Sequence, residues 1–279
     1  MSLLKFIKMH GCANDYIYVD CFSQTVRDPA ALARRLSDRH TGVGGDGVIL
    51  ICPSEIADGR MRMFNADGTE GNMCGNGVRC VGAYLLRHGY AKGGEARVET
   101  RAGMRLIVQE TPELFTVNMG APVFEPEKVP VAGFASPAVD VPVTLGGVER
   151  RMTAVSMGNP HCVVFVPEVE TLDVAALGRE MEAKPLFPEG VNTEFLQVID
   201  GTHLAMRVWE RGSGETLACG TGSCASVAAA TLKGLCLRDT DIDVKLLGGT
   251  LTIRWTPETM FMTGNAVEVF TGEIEAPEA

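Results

Sequence analysis

The sequence lacks long apolar runs and any concentration of basic charge. No apolar run approaches the roughly 18 residues of a membrane-spanning helix. Lys5, Lys8, His10 and Asp15 interrupt the N-terminal stretch where a signal peptide would have its apolar core. The 35 acidic residues outnumber 25 basic ones, which are scattered along the chain, and the formal net charge is −10. We therefore expect a soluble cytoplasmic protein with neither a membrane nor a nucleic-acid partner.

The spacing of the cysteines lacks the patterns of a zinc site or a disulfide framework. Nine cysteines are an odd number, and a chain of 279 residues with 46% hydrophobic content can bury a core without covalent staples. The pairs Cys74/Cys80 and Cys219/Cys224 are too widely spaced for a zinc knuckle, and on a helix the second cysteine would point away from the first. We predict no metal and, in a reducing compartment, no stable disulfide.

Phosphate-binding signals are also missing. The segment TGVGGDGV, residues 41–48, formally contains GxGxxG, but it follows a predicted helix and leads into a strand, the reverse of a dinucleotide-binding loop. A tight helix-to-strand turn is the better interpretation. CGNG and CGTG lack the Lys-Ser/Thr end of a P-loop, and no lysine lies in a phosphate-loop context that would anchor pyridoxal phosphate. No cofactor is expected.

What the sequence does contain is a duplication. Aligned with itself at an offset of 145 residues, it places Asn14 on Asn159, MRMF on MRVW, and Cys74-Gly75-x-Gly77 on Cys219-Gly220-x-Gly222. Two units of domain size indicate duplication rather than a solenoid. We predict an α/β (α+β) fold of two pseudo-symmetric domains, each a mixed or antiparallel sheet curled around a central helix. The expected limits are 1–120, joined by 267–279, and 121–266.

Local patterns place the repeated cysteines at helix starts. Asp28-Pro29 and Asp173 are typical of helix N-termini, the first helix running to about His40. Helical patterns follow CGNG and CGTG, and each is closed by a glycine, Gly89 or Gly234. Strand-like runs are 16–21, 48–52, 105–108, 162–166 and 194–198.

A cysteine at a helix N-terminus favours the thiolate, because backbone N–H groups and the helix dipole point at it. A single such cysteine is usually a buried structural thiol. Two at equivalent positions, brought to one cleft by a pseudo-two-fold axis, would face a bound molecule from opposite sides. One thiolate would then abstract a proton and the other thiol would return one, which describes a two-base racemase or epimerase.

Seven motifs, in order and across nearly the whole chain, resemble those of diaminopimelate epimerases: MHGCANDY, GVGGDG, FNADGTE, MCGNGVRC, SMGNPHCV, GVNTEF and WERGSGETLACGTGSCA. The resemblance implies a cytoplasmic, cofactor-independent enzyme. It would invert one stereocentre of LL-diaminopimelate to give the meso form used for lysine and peptidoglycan synthesis. It also implies two pseudo-symmetric domains with one cysteine from each in the cleft. We also expect a homodimer.

The resemblance also assigns roles by position. Cys74 and Cys219 match the catalytic pair, and His161 and Glu210 match residues that support the proton transfers. The matched substrate-binding positions are Asn14, Asn65, Gly75, Asn76, Asn159, Asn192, Glu210, Arg211, Gly220 and Thr221. Cys12 and Ala13 stand where other members often have Leu and Gly, and Gly47 where some have Gln.

Three alternatives stay open at this point. A proline or hydroxyproline racemase of the same architecture usually has a histidine where this chain has Asn76, and it lacks the Glu210-Arg211 pair. In the repeat, that pair falls on Asn65-Ala66, so the halves have diverged in charge in a way that suits a substrate with a distal zwitterion. A redox dithiol protein and a non-catalytic binding module are the other two.

Overall fold

A computed structural model describes residues 2–276 and divides the chain into two compact units. Unit 1 comprises Met1–Val117 with Thr263–Ala279, and unit 2 comprises Asn118–Met262. In the described part of the chain, no helix is both long enough and apolar enough to cross a membrane.

Unit 1 contains two helices and the first strands of the chain. They are β1 (Ser2–Gly11), β2 (Asn14–Asp20), α1 (Pro29–Leu36), β3 (Gly47–Cys52), β4 (Gly59–Asn65), β5 (Glu70–Gly71), α2 (Gly75–Arg87), β6 (Glu95–Thr100), β7 (Gly103–Gln109) and β8 (Leu114–Gly120). The chain passes into unit 2 within β8.

Unit 2 has the same order of elements after one additional strand. They are β9 (Val141–Leu145), β10 (Val148–Ser156), β11 (Pro160–Phe165), α3 (Val174–Glu182), β12 (Asn192–Val198), β13 (His203–Glu210), β14 (Gly214–Thr216), α4 (Gly220–Leu232), β15 (Asp241–Leu246), β16 (Gly249–Trp255) and β17 (Met260–Asn265). The last strand, β18 (Val267–Ala276), returns to unit 1 and pairs antiparallel with β1.

The strand pairing repeats as well. In unit 1, β1 pairs with β2, β3 with β4 and β6 with β7, all antiparallel, whereas β2–β3 and β4–β6 are parallel. In unit 2, β10–β11, β12–β13 and β15–β16 are antiparallel, and β11–β12 and β13–β15 are parallel. The fold is therefore mixed α+β and duplicated, which confirms the predicted class.

In each unit, the strands pack around the second helix. Helix α2 contacts β1, β2, β4, β6 and β7, and helix α4 contacts β10, β11, β12, β13 and β16. Eleven consecutive residues of α2, from Gly75 to Leu85, are buried. In α4 the small residues of GTGSCASVAAA let the strands approach on every side, and all but Thr221 of Gly220–Ala230 are buried. The active-site candidates at the N-termini of these helices are thus held on rigid, buried elements.

The helices begin and end at the capping residues that the sequence predicted, apart from the end of α1. Asp28 and Asp173 are N-caps, each accepting a 2.9 Å hydrogen bond from the N–H three residues on. Gly89 and Gly234 follow the C-caps with φ of 80° and 74°, a left-handed conformation that favours glycine. The predicted strands all fall within β2, β3, β7, β11 and β12, or overrun their ends by one residue.

One prediction was wrong: α1 ends at Leu36 rather than near His40. The carboxylate of Asp38 accepts the N–H groups of His40 and Thr41, and the Leu36 carbonyl accepts those of Val43 and Gly44. These bonds replace the next helical turn. They begin the tight turn, with Gly44 at φ 82°, that leads into β3.

Candidate active site

Both repeated cysteines are the N-caps of central helices. Cys74 has φ −128° and ψ 124°, and its sulfur accepts the N–H of Gly77 at 3.3 Å. Cys219 has φ −126° and ψ 111°, and its sulfur accepts the N–H of Gly222 at the same distance. Each sulfur therefore lies at the positive end of a helix dipole, as the sequence predicted. The nine cysteines form no disulfide in the part of the chain described.

In unit 1, Cys74 and Asn14 are brought together. The Cys74 thiol donates to Asn14 Oδ1 at 3.1 Å, and Asn14 Nδ2 donates to Asp46 Oδ2 at 2.7 Å. Asp46 also accepts from Arg39. The side chain of Asn14 is thus fixed between the thiol and an acidic residue from the loop before β3.

Asn76, the second residue of α2, is hydrogen-bonded by an arginine that the sequence analysis did not single out. Arg79 is 0% exposed, and its Nη2 donates to Asn76 Oδ1 at 2.9 Å while its Nε donates to the Asn265 carbonyl at 2.9 Å. Since Asn76 is itself buried, Arg79 holds its side chain in place within the first turn of α2. Its only sequence signal was its place inside MCGNGVRC.

In unit 2, Cys219 is connected to three other predicted residues. Thr221 Oγ1 lies 3.5 Å from the Cys219 sulfur and 3.4 Å from Asn159 Nδ2. Asn159 Oδ1 lies 3.0 Å from His161 Nε2. His161 is 0% exposed, on β11. The predicted His161, Asn159, Thr221 and Cys219 therefore form one connected group.

A second unpredicted residue completes this group. Glu194, on β12, is 0% exposed and its Oε1 lies 2.7 Å from His161 Nδ1. The Cys219 sulfur lies within 4.8 Å of a His161 ring nitrogen and a Glu194 oxygen. The sequence signal was the acidic residue in GVNTEF, at the start of a run predicted to be a strand.

Burial raises the pKa of the Cys219 thiol, and the carboxylates of Glu210 and Glu194 raise it further. The Gly222 N–H, which donates to the sulfur, and the neighbouring Thr221 hydroxyl oppose this shift. Burial also raises the pKa of Glu194, while His161 lowers it. For Cys219, desolvation and the two carboxylates outweigh these donors, so its pKa lies well above the ordinary value for a thiol.

His161, Glu194 and Cys219 are residue types that bind metals in other proteins. Here both ring nitrogens of His161 already have hydrogen-bond partners, Glu194 and Asn159, and the Cys219 sulfur accepts from Gly222. A metal ion would have to displace these bonds.

The remaining predicted residues lie at strand ends. Asn192 is buried, and its Oδ1 accepts the Arg211 N–H at 2.9 Å. The exposed Arg211 guanidinium donates to the Glu189 carbonyl at 2.7 Å. Glu210 accepts a short hydrogen bond from Thr216. In unit 1, Asn65 donates to Thr69 Oγ1 at 3.0 Å. Asn192, Glu210 and Arg211 form a polar group in unit 2, and Asn65 ends the equivalent strand of unit 1.

Solved structures that match this fold include an epimerase and a PhzF-family protein. A hydroxyproline epimerase from Agrobacterium vitis matches 98% of this chain and 91% of its own, with a TM-score of 0.70 and 15% identity. A PhzF-family phenazine biosynthesis protein from Bacillus anthracis matches 99% of this chain and 100% of its own, with a TM-score of 0.68 and 19% identity. The fold is therefore the duplicated one of epimerases and PhzF-family proteins.

Sequence relatives narrow the class to one family. The diaminopimelate epimerase family profile matches residues 6–125 and 153–269. A diaminopimelate epimerase of Acetivibrio thermocellus is 49% identical over 99% of this chain and 100% of its own. One of Methanococcus maripaludis is 44% identical over 98% and 100%. The chain belongs to the diaminopimelate epimerase family, which confirms the resemblance seen in its motifs.

Proposed function

We propose that this chain is an isomerase that converts LL-diaminopimelate to the meso form, without a cofactor, with Cys74 and Cys219 as the acid-base pair. The observation that supports the proposal is the duplicated N-cap geometry. Two cysteines, 145 residues apart, have the same backbone conformation and accept the same N–H bond at 3.3 Å. Two equivalent thiols suit a reaction that removes a proton from one face of a carbon and adds one to the other.

The helix N-termini provide the charge stabilisation that the reaction needs. Gly75 and Asn76, and Gly220 and Thr221, are the first residues of α2 and α4. Their N–H groups point toward the N-terminal end, where an α-carboxylate would bind. Removing the α-proton moves negative charge onto that carboxylate, so preorganised donors there stabilise the transition state more than the ground state. Asn14 and Asn159 would flank the reacting carbon beside the thiols.

The residues that differ between the two halves of the repeat are assigned to the far end of the substrate. We assign Arg211 to the distal carboxylate and Glu210 to the distal ammonium, with Asn65 and Asn192 completing the polar contacts. Asn192 already fixes the backbone N–H of Arg211 at 2.9 Å. His161 and Glu210 would in addition support proton transfer, since Glu210 acts on the pKa of Cys219.

The test is proton exchange in deuterated water. Incubated with LL-diaminopimelate, the wild-type enzyme should give meso product labelled at one α-carbon, and it should leave proline and hydroxyproline unchanged. Binding of diaminopimelate without label and without meso product would sink the proposal. Turnover of the proline substrates instead would favour the racemase alternative.

Cys74→Ser and Cys219→Ser are sharp variants because serine is itself a favoured N-cap. Each should therefore keep the melting temperature of wild type while losing about 10²- to 10⁴-fold in kcat, since the hydroxyl is a far weaker acid and base. Cys21→Ser, at a half-buried cysteine outside the site, is the control and should retain activity. Full activity in either N-cap variant would refute the two-base assignment.

We also propose a cytoplasmic location and a homodimer, in keeping with a biosynthetic enzyme that acts on a small molecule. Light scattering coupled to size exclusion tests the second point. A mass near 29.8 kDa, that of one chain, would refute the dimer.

A further inference from the structure

Two cysteines outside the candidate active site are neighbours across a pair of parallel strands. Strands β2 and β3 pair with Asp20 opposite Ile51, and the N–H of Cys21, one residue beyond β2, donates to the Ile51 carbonyl at 2.9 Å. This bond continues the register, so Cys21 lies beside Cys52, the last residue of β3. Neighbouring strands are about 4.8 Å apart, within the roughly 4.4–6.8 Å that separates the Cα atoms of a disulfide.

The two side chains also share one face of the sheet. Alternate residues of a strand point to the same side. On this side, β2 and β3 contact a single apolar cluster through Ile17, Val19 and Cys21, and through Val48, Leu50 and Cys52. The two cysteines end these rows and are both half-buried, next to turns in which Ser23 and Pro53 are exposed. The thiols therefore face each other where a small molecule in solvent can reach them.

The two thiols differ in acidity. A hydrogen bond from Cys21 to Cys52 raises the pKa of the Cys21 thiol, and burial raises it further. The same bond lowers the pKa of Cys52. The guanidinium groups of Arg62 and Arg60 lower it too, against burial and the Glu70 carboxylate. Cys52 is therefore the thiol that ionises more readily, and the thiolate is the form that attacks an electrophile.

The second half of the repeat has the same backbone arrangement without the cysteines. At the offset of 145 residues, Cys21 falls on Val166. Cys52 falls on Gln197. The Val166 N–H donates to the Leu196 carbonyl at 2.9 Å, which is the bond that Cys21 makes in unit 1. The fold therefore requires a cysteine at neither position, and the thiol pair is a feature of unit 1 alone within the repeat.

The cation beside the thiol pair, in contrast, occurs in both units. Arg62 Nε donates to Glu70 Oε1 at 2.8 Å. Its repeat equivalent Arg207 donates to Glu215 Oε1 at 2.7 Å. In unit 1 this ion pair lies beside a thiol whose pKa it affects, whereas unit 2 has valine and glutamine at the two cysteine positions. Arg207 is therefore a matched control for the effect of Arg62 on Cys52.

We propose that Cys21 and Cys52 are an oxidation site, at which hydrogen peroxide converts the two thiols to a disulfide that a dithiol reductant reverses. The Cys52 thiolate attacks one peroxide oxygen, so an S–O bond forms, the O–O bond breaks and hydroxide leaves. The Cys21 thiol then attacks the resulting sulfenic acid, so the S–S bond forms and the S–O bond breaks. The thiols lose two hydrogens and two electrons, and the peroxide is reduced to two waters.

The experiment is peptide mapping of the reduced full chain after treatment with excess hydrogen peroxide in the absence of substrate. Free thiols are blocked with iodoacetamide, and the chain is digested with trypsin without reductant. We expect peptides joined through Cys21 and Cys52, absent after dithiothreitol. Fragmentation assigns the link, because Cys12 shares the tryptic peptide of Cys21. A link through Cys12, or recovery of Cys21 and Cys52 as alkylated thiols or as separate sulfinic acids, would overturn the proposal.

Two variants test which thiol reacts first. Cys21→Val introduces the residue that unit 2 has at this position, and it should leave Cys52 as a sulfenic acid that dimedone labels. In Cys52→Ser the Cys21 thiol loses its partner, but burial and the Asp20 carboxylate still raise its pKa, so dimedone should not label it. The reverse pattern of labelling would contradict the assigned order.

A second pair of variants tests the charge beside Cys52. Arg62→Gln should slow disulfide formation by about 3- to 10-fold, because an opposite charge near a thiol favours the thiolate. Arg207→Gln breaks the equivalent ion pair in unit 2 and should leave the rate unchanged. No slowing in Arg62→Gln, or equal slowing in both variants, would refute the role of the charge. Neither cysteine belongs to the candidate active site and no substrate is present, so these results do not depend on the proposed function.

Discussion

Gly77 and Gly222 occupy the third position of α2 and α4. Comparing their alanine variants tests whether the buried carboxyl group of Glu194 makes a Cβ at position 222 more destabilising than one at position 77. The gain in helix propensity, about 0.8–1 kcal/mol, is the same at both sites. At Gly77 the new Cβ meets the ends of flexible apolar side chains, Ile49 Cδ1 at 2.7 Å and Met61 Cε at 3.1 Å. Overpacking of this kind costs about 1–3 kcal/mol, so Gly77→Ala should lower the free energy of unfolding by at most about 2 kcal/mol.

At Gly222 the three nearest atoms all belong to Glu194, with Oε1 at 2.6 Å. To reach an ordinary contact of 3.4 Å the oxygen must retreat by about 0.8 Å. That movement breaks its 2.7 Å bond to His161. A hydrogen bond to a charged group is worth about 1.5–3 kcal/mol, which adds to the overpacking cost. Gly222→Ala should therefore destabilise the chain by about 1.5–3 kcal/mol more than Gly77→Ala.

Urea titrations of both variants at neutral pH measure this difference from the midpoints at equal slope. The matched control is Gly222→Ala on a Glu194→Gln background. The glutamine makes a weaker, neutral hydrogen bond to His161, so the extra destabilisation of Gly222→Ala over Gly77→Ala should be smaller in this double-mutant cycle. Equal destabilisation by the two alanine variants, or an excess that persists unchanged with glutamine at position 194, would refute the reasoning.

Two other predictions concern stability. Cys12 and Ala13 form the β1–β2 turn with φ of 53° and 61°, and alanine in this left-handed region costs about 1–2 kcal/mol. Ala13→Gly should stabilise the fold by about 0.5–1 kcal/mol, after subtraction of the greater conformational freedom of glycine in the unfolded chain. The control Ala31→Gly, in α1, should destabilise the fold. A lower melting temperature for Ala13→Gly would count against backbone strain at position 13. Because burial raises the pKa of Glu194 above its ordinary 4.5, the folded chain binds a proton there that the unfolded chain releases. This stabilising contribution is present below the unfolded pKa and is lost as pH rises through the raised folded pKa. Wild type should therefore lose more stability than Glu194→Gln as the pH rises above the ordinary glutamate pKa of 4.5. Parallel pH curves in urea titrations would contradict it.

The sequence predicted the fold class and much of the candidate site. The 145-residue repeat indicated two similar halves, and the residues around each cysteine indicated a helix N-terminus. Both rest on spacing and on local backbone preference, which are properties of a few neighbouring residues. The end of α1 was misplaced because side-chain bonds from Asp38 compete with the next helical turn, and these do not show in hydrophobic periodicity.

By itself, then, the sequence determined that the chain is duplicated, that Cys74 and Cys219 begin equivalent helices, and which family it resembles. Only the tertiary structure decided what each cysteine contacts. Glu194 is 33 residues from His161, and Asp46 is 32 residues from Asn14. Both contacts join strands or loops that are distant along the chain. Hydrogen-bond direction depends on which partners the fold brings within 3 Å, and burial decides whether a charge there is costly. Neither is encoded in a local motif, so two halves with the same motif hold their thiols in different surroundings.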